Sequence, residues 1–122
     1  MKRILIVDDA ATVRMYHRSL LEMAGYAVDE AVNGIEALER ALQNTFDLYV
    51  VDINMPKLDG YGFLRELRAQ DIVQAPAIMV STEAESKDHT QAYAAGANAY
   101  LVKPVRPEQL LAHVKLMIGV QA

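Results

Sequence analysis

The sequence predicts an α/β fold, a doubly wound parallel sheet of five strands in the pattern (βα)5 with helices on both faces. Three observations predict it. Four short apolar runs recur at residues 4–7, 48–51, 77–80 and 99–102, each too short for a helix and without polar alternation, as in strands covered on both sides. The segments between them carry apolar residues at helical spacing. The 122 residues, 52% hydrophobic and 23% charged, suit one domain able to bury a core. Alternating strands and helices then give a parallel sheet with right-handed crossovers.

The first strand is Ile4-Leu5-Ile6-Val7. A helix follows over 12–24 and is stopped by Gly25, a C-terminal signal. Residues 27–31, with Val28 amid polar neighbours, read as a less buried edge strand. The second helix spans 34–42, with Ile35, Leu38 and Leu42 as its apolar positions. After the strand at 48–51, the third helix spans 61–69 and presents Phe63, Leu64 and Leu67. The strand at 77–80 precedes a helix over 83–95 that ends at Gly96. The strand at 99–102 precedes the last helix, 107–118. Pro107 sits in its first turn, where a missing N–H is no loss, and Leu110, Leu111, Val114 and Ile118 form its stripe. The six methionines read as core filler. His17, His89 and His113, scattered without metal-ligand spacing, read as solvent-facing helix residues.

Twelve Lys and Arg against sixteen Asp and Glu leave a net charge of −4, which argues against binding nucleic acid or a membrane surface. The absence of cysteine removes disulfides, thiolate zinc sites and cysteine nucleophiles. No apolar run approaches the roughly 20 residues of a membrane span. Asp8 and Asp9 interrupt the N-terminal run before a signal peptide could form. The expectation is a cytoplasmic monomer.

The chemistry sits where the strands end. The first buried run is followed by Asp8 and Asp9, the third by Asp52, the fourth by Ser81 and the fifth by Lys103. Ligands of open parallel sheets bind outside the carboxyl ends of the strands, near the point where strand order reverses. With the order 2-1-3-4-5, strands one and three are neighbours there, so Asp8, Asp9 and Asp52 converge, with Ser81 and Lys103 on the far side. Three ionised carboxylates need a counter-charge. With oxygen ligands alone the cation is hard, and Mg²⁺ is the natural choice. Mg²⁺ accepts a phosphate oxygen, Lys103 holds a second and the Ser81 hydroxyl a third. The layout reads as a phosphoryl site with a carboxylate to receive the group.

At this point the sequence resembles a family, the CheY-like receiver domains of response regulators. The resemblance is carried by Ile4-Leu5-Ile6-Val7-Asp8-Asp9, Asp52-Ile53-Asn54-Met55-Pro56 with Asp59-Gly60, Met79-Val80-Ser81, Ala95-Gly96-Ala97 and Tyr100-Leu101-Val102-Lys103-Pro104, and it covers essentially the whole chain. The family is a standard example of the flavodoxin-like 2-1-3-4-5 order, so the order rests on the resemblance as much as on the alternation. The resemblance implies phosphorylation of Asp52 by the phosphohistidine of a sensor histidine kinase. It implies Mg²⁺ on Asp9 and Asp52 with the backbone carbonyl of Asn54, Asp8 acting mainly through water. It gives Ser81 and Tyr100 as the switch pair and Lys103 as the phosphate-binding lysine, aimed inward by a cis bond to Pro104. Proximity to both switch positions makes the face of the fourth helix, the fifth strand and the fifth helix the expected output surface. That face would bind a protein target such as a flagellar motor switch component or a relay protein, most like the chemotaxis-type regulators. Only four residues follow the fifth helix, so a single receiver domain over 1–122 without an effector domain is expected. Thr82 departs from the family's usual small residue there; it crowds the acyl phosphate or caps the fourth helix in a box with Glu85, and the cap is the preferred reading.

Blander readings stand beside these. One Asp after a strand is usually a loop residue or a cap. Asp52 between Val51 and Ile53 has a structural ion pair with Lys103 as its alternative, since a buried carboxylate costs several kcal/mol unless paired. Among other functions, a haloacid dehalogenase-type phosphatase wants Asp-x-Asp, and position 54 is Asn. A flavodoxin-like cofactor carrier wants a hydroxyl- and glycine-rich loop where this chain has two aspartates. A pure interaction module has no use for the intact set of Asp9, Asp52, Ser81 and Lys103.

Overall fold

The computed structural model describes residues 1–83 and 85–119. Its elements are β1 (Arg3–Val7), α1 (Ala11–Met23), β2 (Ala27–Ala31), α2 (Gly34–Gln43), β3 (Leu48–Asp52), α3 (Gly60–Arg68), β4 (Ala77–Ser81), α4 (Ser86–Ala95), β5 (Ala99–Val102) and α5 (Pro107–Ile118). All strand pairs are parallel, in the order β2-β1-β3-β4-β5. Ala84, inside the predicted fourth helix, and residues 120–122, inside the predicted domain, lie outside the described residues.

Strand side chains alternate between two buried faces, which is why the strands read as unbroken apolar runs. Leu5, Val7, Tyr49, Val51, Ala77 and Met79 point into the core beneath α2, α3 and α4, against Ala37, Phe63, Leu64, Leu67 and Ala92. Ile4, Ile6, Leu48, Val50, Ile78 and Val80 point to the other side, against Leu21 of α1 and Leu110 and Val114 of α5. Each fully buried Leu or Phe contributes about 1.5–3 kcal/mol of burial free energy. Asn33 and Asp59 cap α2 and α3 by accepting from the N–H groups of Glu36 and Gly62, each at 2.8 Å. Gly25 and Gly96 follow α1 and α4 with φ of 97° and 116°, the left-handed region in which glycine lacks the Cβ penalty.

Three packing expectations change. On α2 the buried positions are Gly34, Ala37 and Ala41, while Ile35 and Leu42 are exposed. The helix approaches the chain at Leu58 so closely that a Cβ on Gly34 would lie 2.4 Å from the Leu58 carbonyl oxygen, so small residues form the contact. Met79 is fully buried, but Met1, Met15 and Met23 are exposed rather than core filler. Met15 and Met23 each lie two residues, about 200° around the helix, from the buried His17 and Leu21. His17 itself is 4% exposed, which overturns its reading as a solvent-facing residue. His89 and His113 are half-buried, the first stacked on Tyr100 and the second paired with the Gln109 carbonyl at 2.9 Å.

Candidate functional site

The parallel register brings the strand ends to one edge. Val7 pairs with Val51, Asp52 with Val80 and Ser81 with Val102. The residues that continue β1 and β5 therefore meet the last residues of β3 and β4. One carboxylate oxygen from each of Asp8, Asp9 and Asp52 lies within 4.8 Å of the others. Asp8 and Asp52 are buried, Asp52 with 8% exposure, and Asp9 is exposed.

Lys103 is not on the far side of the cluster but in it. Its Nζ donates to Asp8 Oδ2 and to Asp52 Oδ1, both at 3.2 Å. The Asp52–Lys103 ion pair thus exists, and it lies within the acidic cluster. The Lys103–Pro104 bond is cis, and the Lys103 N–H donates to the Ser81 carbonyl at 2.7 Å. Burial first, then the Asp8 carboxylate, push the Asp52 carboxyl above its ordinary value, against the pull of Lys103. Burial acts to lower Lys103, but Asp8 and Asp52 outweigh it and hold the ammonium above its ordinary value. One cation faces three anions, and the site keeps an excess of negative charge.

The donor set fits a hard divalent ion. A Mg²⁺ shell with oxygens roughly 2.1 Å from the metal sets ligand oxygens up to about 4.2 Å apart, close to the spread of these carboxylates. Asn54 follows Asp52 by two residues and is exposed in the loop before α3. That loop is pinned by Gly60, whose N–H donates to the Ile53 carbonyl at 2.8 Å. A Cβ on Gly60 would come within 2.5 Å of the Asp52 carbonyl oxygen, so α3 can approach the strand end only through glycine.

Ser81 and Tyr100 are joined through Glu83. The Ser81 Oγ accepts from the Glu83 N–H at 3.1 Å, and the Tyr100 hydroxyl donates to the Glu83 carbonyl at 2.8 Å. Glu83 thereby has both main-chain groups engaged outside a helix. This is why α4 begins at Ser86 rather than at the predicted residue 83. The preferred Thr82 cap is overturned with it: the N-cap is Glu85, whose N–H donates to Asp88 at 3.2 Å, and Thr82 is exposed. Tyr100 is already turned inward, 8% exposed, with the His89 ring stacked on it at 4.2 Å.

Sequence reasoning missed two neighbours of the site. His17 lies under a cleft of about 450 Å³ that also touches Tyr16, Thr82, Lys103 and Val105. Burial lowers its imidazole, with Asp8 acting the other way. Arg14, in the first turn of α1, donates through Nη1 to the Asp8 carbonyl at 2.7 Å. An arginine so soon after the two aspartates was the available signal.

A family model described as the response regulator receiver domain matches residues 4–115. The chain belongs to the response regulator receiver domain family. Receiver domains are phosphoacceptor switches of two-component systems, pair with histidine kinases and downstream targets, and bind Mg²⁺ at an acidic pocket. The transcriptional regulatory protein ResD of Bacillus subtilis is 37% identical to this receiver domain over 116 residues, 95% of this chain and 48% of ResD. The chain thus spans about half the length of that relative. The structure of the Vibrio cholerae chemotaxis protein CheY4 matches with a TM-score of 0.90 and 36% identity, covering 96% of this chain and 98% of that one. The receiver domain of the sensor histidine kinase PA1611 from Pseudomonas aeruginosa PAO1 matches with a TM-score of 0.89 and 32% identity over 97% of this chain and 98% of that one, and has a magnesium ion coordinated in its active site cleft. Among the described residues, no helix of this receiver domain is long and apolar enough to cross a membrane.

Proposed function

We propose that Asp52 accepts a phosphoryl group from the phosphohistidine of a sensor histidine kinase, with Mg²⁺ held by Asp8, Asp9, Asp52 and the Asn54 backbone carbonyl. The observation that carries this reading is Lys103 Nζ, 3.2 Å from both Asp8 and Asp52 in a cluster of three carboxylates. Bound Mg²⁺ supplies positive charge for the phosphoryl oxygens. An Asp52 oxygen forms the new O–P bond as the P–N bond to the donor imidazole breaks, and the imidazole leaves with the bonding pair. Lys103 turns from the carboxylates to a phosphoryl oxygen, and the Ser81 hydroxyl donates to another. The chain's own groups thereby catalyse the transfer, and water in the open site later hydrolyses the acyl phosphate. The test is uptake from acetyl phosphate, followed by intact mass. With Mg²⁺ one phosphoryl group is gained; with a chelator the fold persists and uptake stops. Uptake that ignores the chelator contradicts the reading.

The output is read from the face of α4, β5 and α5. A phosphoryl group that engages the Ser81 hydroxyl pulls on the Glu83 main chain, and Glu83 holds Tyr100. Tyr100 is already inward, so the phosphoryl group acts on how firmly the ring is held. The two arrangements need differ by only a few kcal/mol. Tyr100→Ala is expected to take up phosphate at the wild-type rate while losing most amide shift changes across α4–β5–α5. Changes confined to residues 30–42 in the wild type rule this face out. Its exposed charges, Lys87, Arg106, Glu108 and Lys115, are mixed in sign and suit a protein target. The likeness to CheY4 over nearly that whole chain supports a chemotaxis target such as a motor switch component. The likeness to ResD supports a second reading, in which the target belongs to transcriptional control. Capture of targets with the phosphorylated domain separates the two.

A further inference from the structure

We infer that Arg14 is a positioning residue that holds the peptide between Asp8 and Asp9 in the orientation needed for Mg²⁺, an inference that rests on the metal-binding role proposed above. Asp9 is the exposed member of the cluster, and among the described residues nothing bonds its carboxylate. Two like charges stand beside it and no partner draws it inward, so the main chain that carries it must hold it toward the cluster. That main chain is held on both sides of Asp8. The Asp8 N–H donates to the Ala31 carbonyl at 3.1 Å, and the Asp8 carbonyl accepts from Arg14 Nη1 at 2.7 Å. The second bond fixes the peptide plane that leads into Asp9. Asp8 Oδ1 also accepts from the Ala10 N–H at 2.9 Å, which tightens the same turn.

The guanidinium is itself fixed. Arg14 Nε donates to Glu30 Oε1 at 2.9 Å, and the side chain is only 15% exposed. Glu30 is held in turn by Arg18 Nη1 at 2.6 Å, a bond that leads the causes keeping its carboxyl below the ordinary value. Arg18 also pairs with Glu22 at 3.2 Å. Two arginines and two glutamates balance, so the network brings a rigid donor to the Asp8 carbonyl with no net charge beside a cation site. Glu30 and Ala31 both belong to the end of β2, which anchors both sides of Asp8 to one strand.

Charge and position predict opposite results, which makes the inference testable. Removing a cation near three carboxylates favours Mg²⁺; releasing the Asp8–Asp9 peptide disfavours it. Mg²⁺ alone is titrated into the full chain, read by the amide signals of Asp9 and Ala10. Arg14→Gln is expected to weaken Mg²⁺ about tenfold, in line with groups that orient metal ligands from behind. Arg14→Lys, which keeps one donor, recovers part of the loss. Amide exchange at Asp9 and Ala10 is expected to quicken in Arg14→Gln while the interior of β1 and β3 stays protected. Mg²⁺ affinity unchanged or raised in Arg14→Gln overturns the inference. If Arg14→Gln does not fold, Glu30→Gln serves: it keeps the carbonyl bond but loosens its anchor, and a smaller weakening is expected, with none overturning the inference. A wild-type chain that binds no Mg²⁺ fails the metal reading instead, and unchanged Asp9 and Ala10 exchange in Arg14→Gln then overturns the positioning role separately.

Discussion

Lys103→Met is expected to cost about 3 kcal/mol of stability at neutral pH without Mg²⁺, the scale seen when one partner of a largely buried charge pair is removed. The Lys103 side chain is one-fifth exposed, and its partners Asp8 and Asp52 are almost fully enclosed. Without it, three carboxylates share one strand-end pocket with no cation among them. For a chain of this length the loss is a fall of roughly 10 °C in melting temperature. The sign follows from the raised pKa of Lys103. Its contribution is complete below the ordinary lysine value and disappears only as pH rises through the higher folded value, so it is present across the neutral range. Mg²⁺ is expected to restore much of the loss, because it supplies the missing charge. The same variant should take up phosphate from acetyl phosphate at least a hundredfold more slowly. A Lys103→Met protein as stable as wild type in the absence of Mg²⁺ contradicts the electrostatic account.

Asp52→Asn is expected to do the reverse to stability. Burial and Asp8 raise the folded pKa of Asp52, so its ionised form opposes folding. That cost is absent below pH 3.8, the ordinary aspartate value, and is fully present above the raised folded value. The amide keeps the shape and removes one of the three negative charges. Asn at 52 should therefore gain about 1 kcal/mol at neutral pH without Mg²⁺. The gain should shrink as pH falls, disappearing near pH 3.8. Mg²⁺ should erase it from the other side: at tenfold over its dissociation constant, a ligand adds about 1.4 kcal/mol to the wild type. Thermal melts across pH, with and without Mg²⁺, check both limits. A variant less stable than wild type at neutral pH without metal means that the Lys103 pair outweighs the repulsion.

Most of the fold was legible because a parallel sheet covered on both sides leaves its strands as plain apolar runs, and because Gly25, Gly96 and Pro107 punctuate the helices by local chemistry. Residue placements failed where a distant bond decides. Glu83 looks helical, yet Ser81 and Tyr100 take its main chain and postpone α4 by three residues. His17 looks polar and outward, yet it stands one turn before Leu21 on the buried face of α1. Ile35 and Leu42 look like core, yet each stands one residue past the buried face of α2, which carries Gly34, Ala37 and Ala41. The acidic cluster was legible because each member ends or follows a strand, and topology alone brings strand ends together. Where Lys103 reaches was not, since a long flexible side chain goes to the nearest uncompensated charge, and no periodicity records that.

Asp52 as the phosphoryl acceptor is open to a direct test. The direct measurement is to phosphorylate the protein with acetyl phosphate and Mg²⁺, reduce the acyl phosphate with labelled borohydride, and map the modified residue by peptide mass spectrometry. A single reduced site at Asp52 is expected, absent after chelation and absent in Asp52→Asn. Label on Asp8, Asp9 or any other residue, or label that persists in Asp52→Asn, would contradict it.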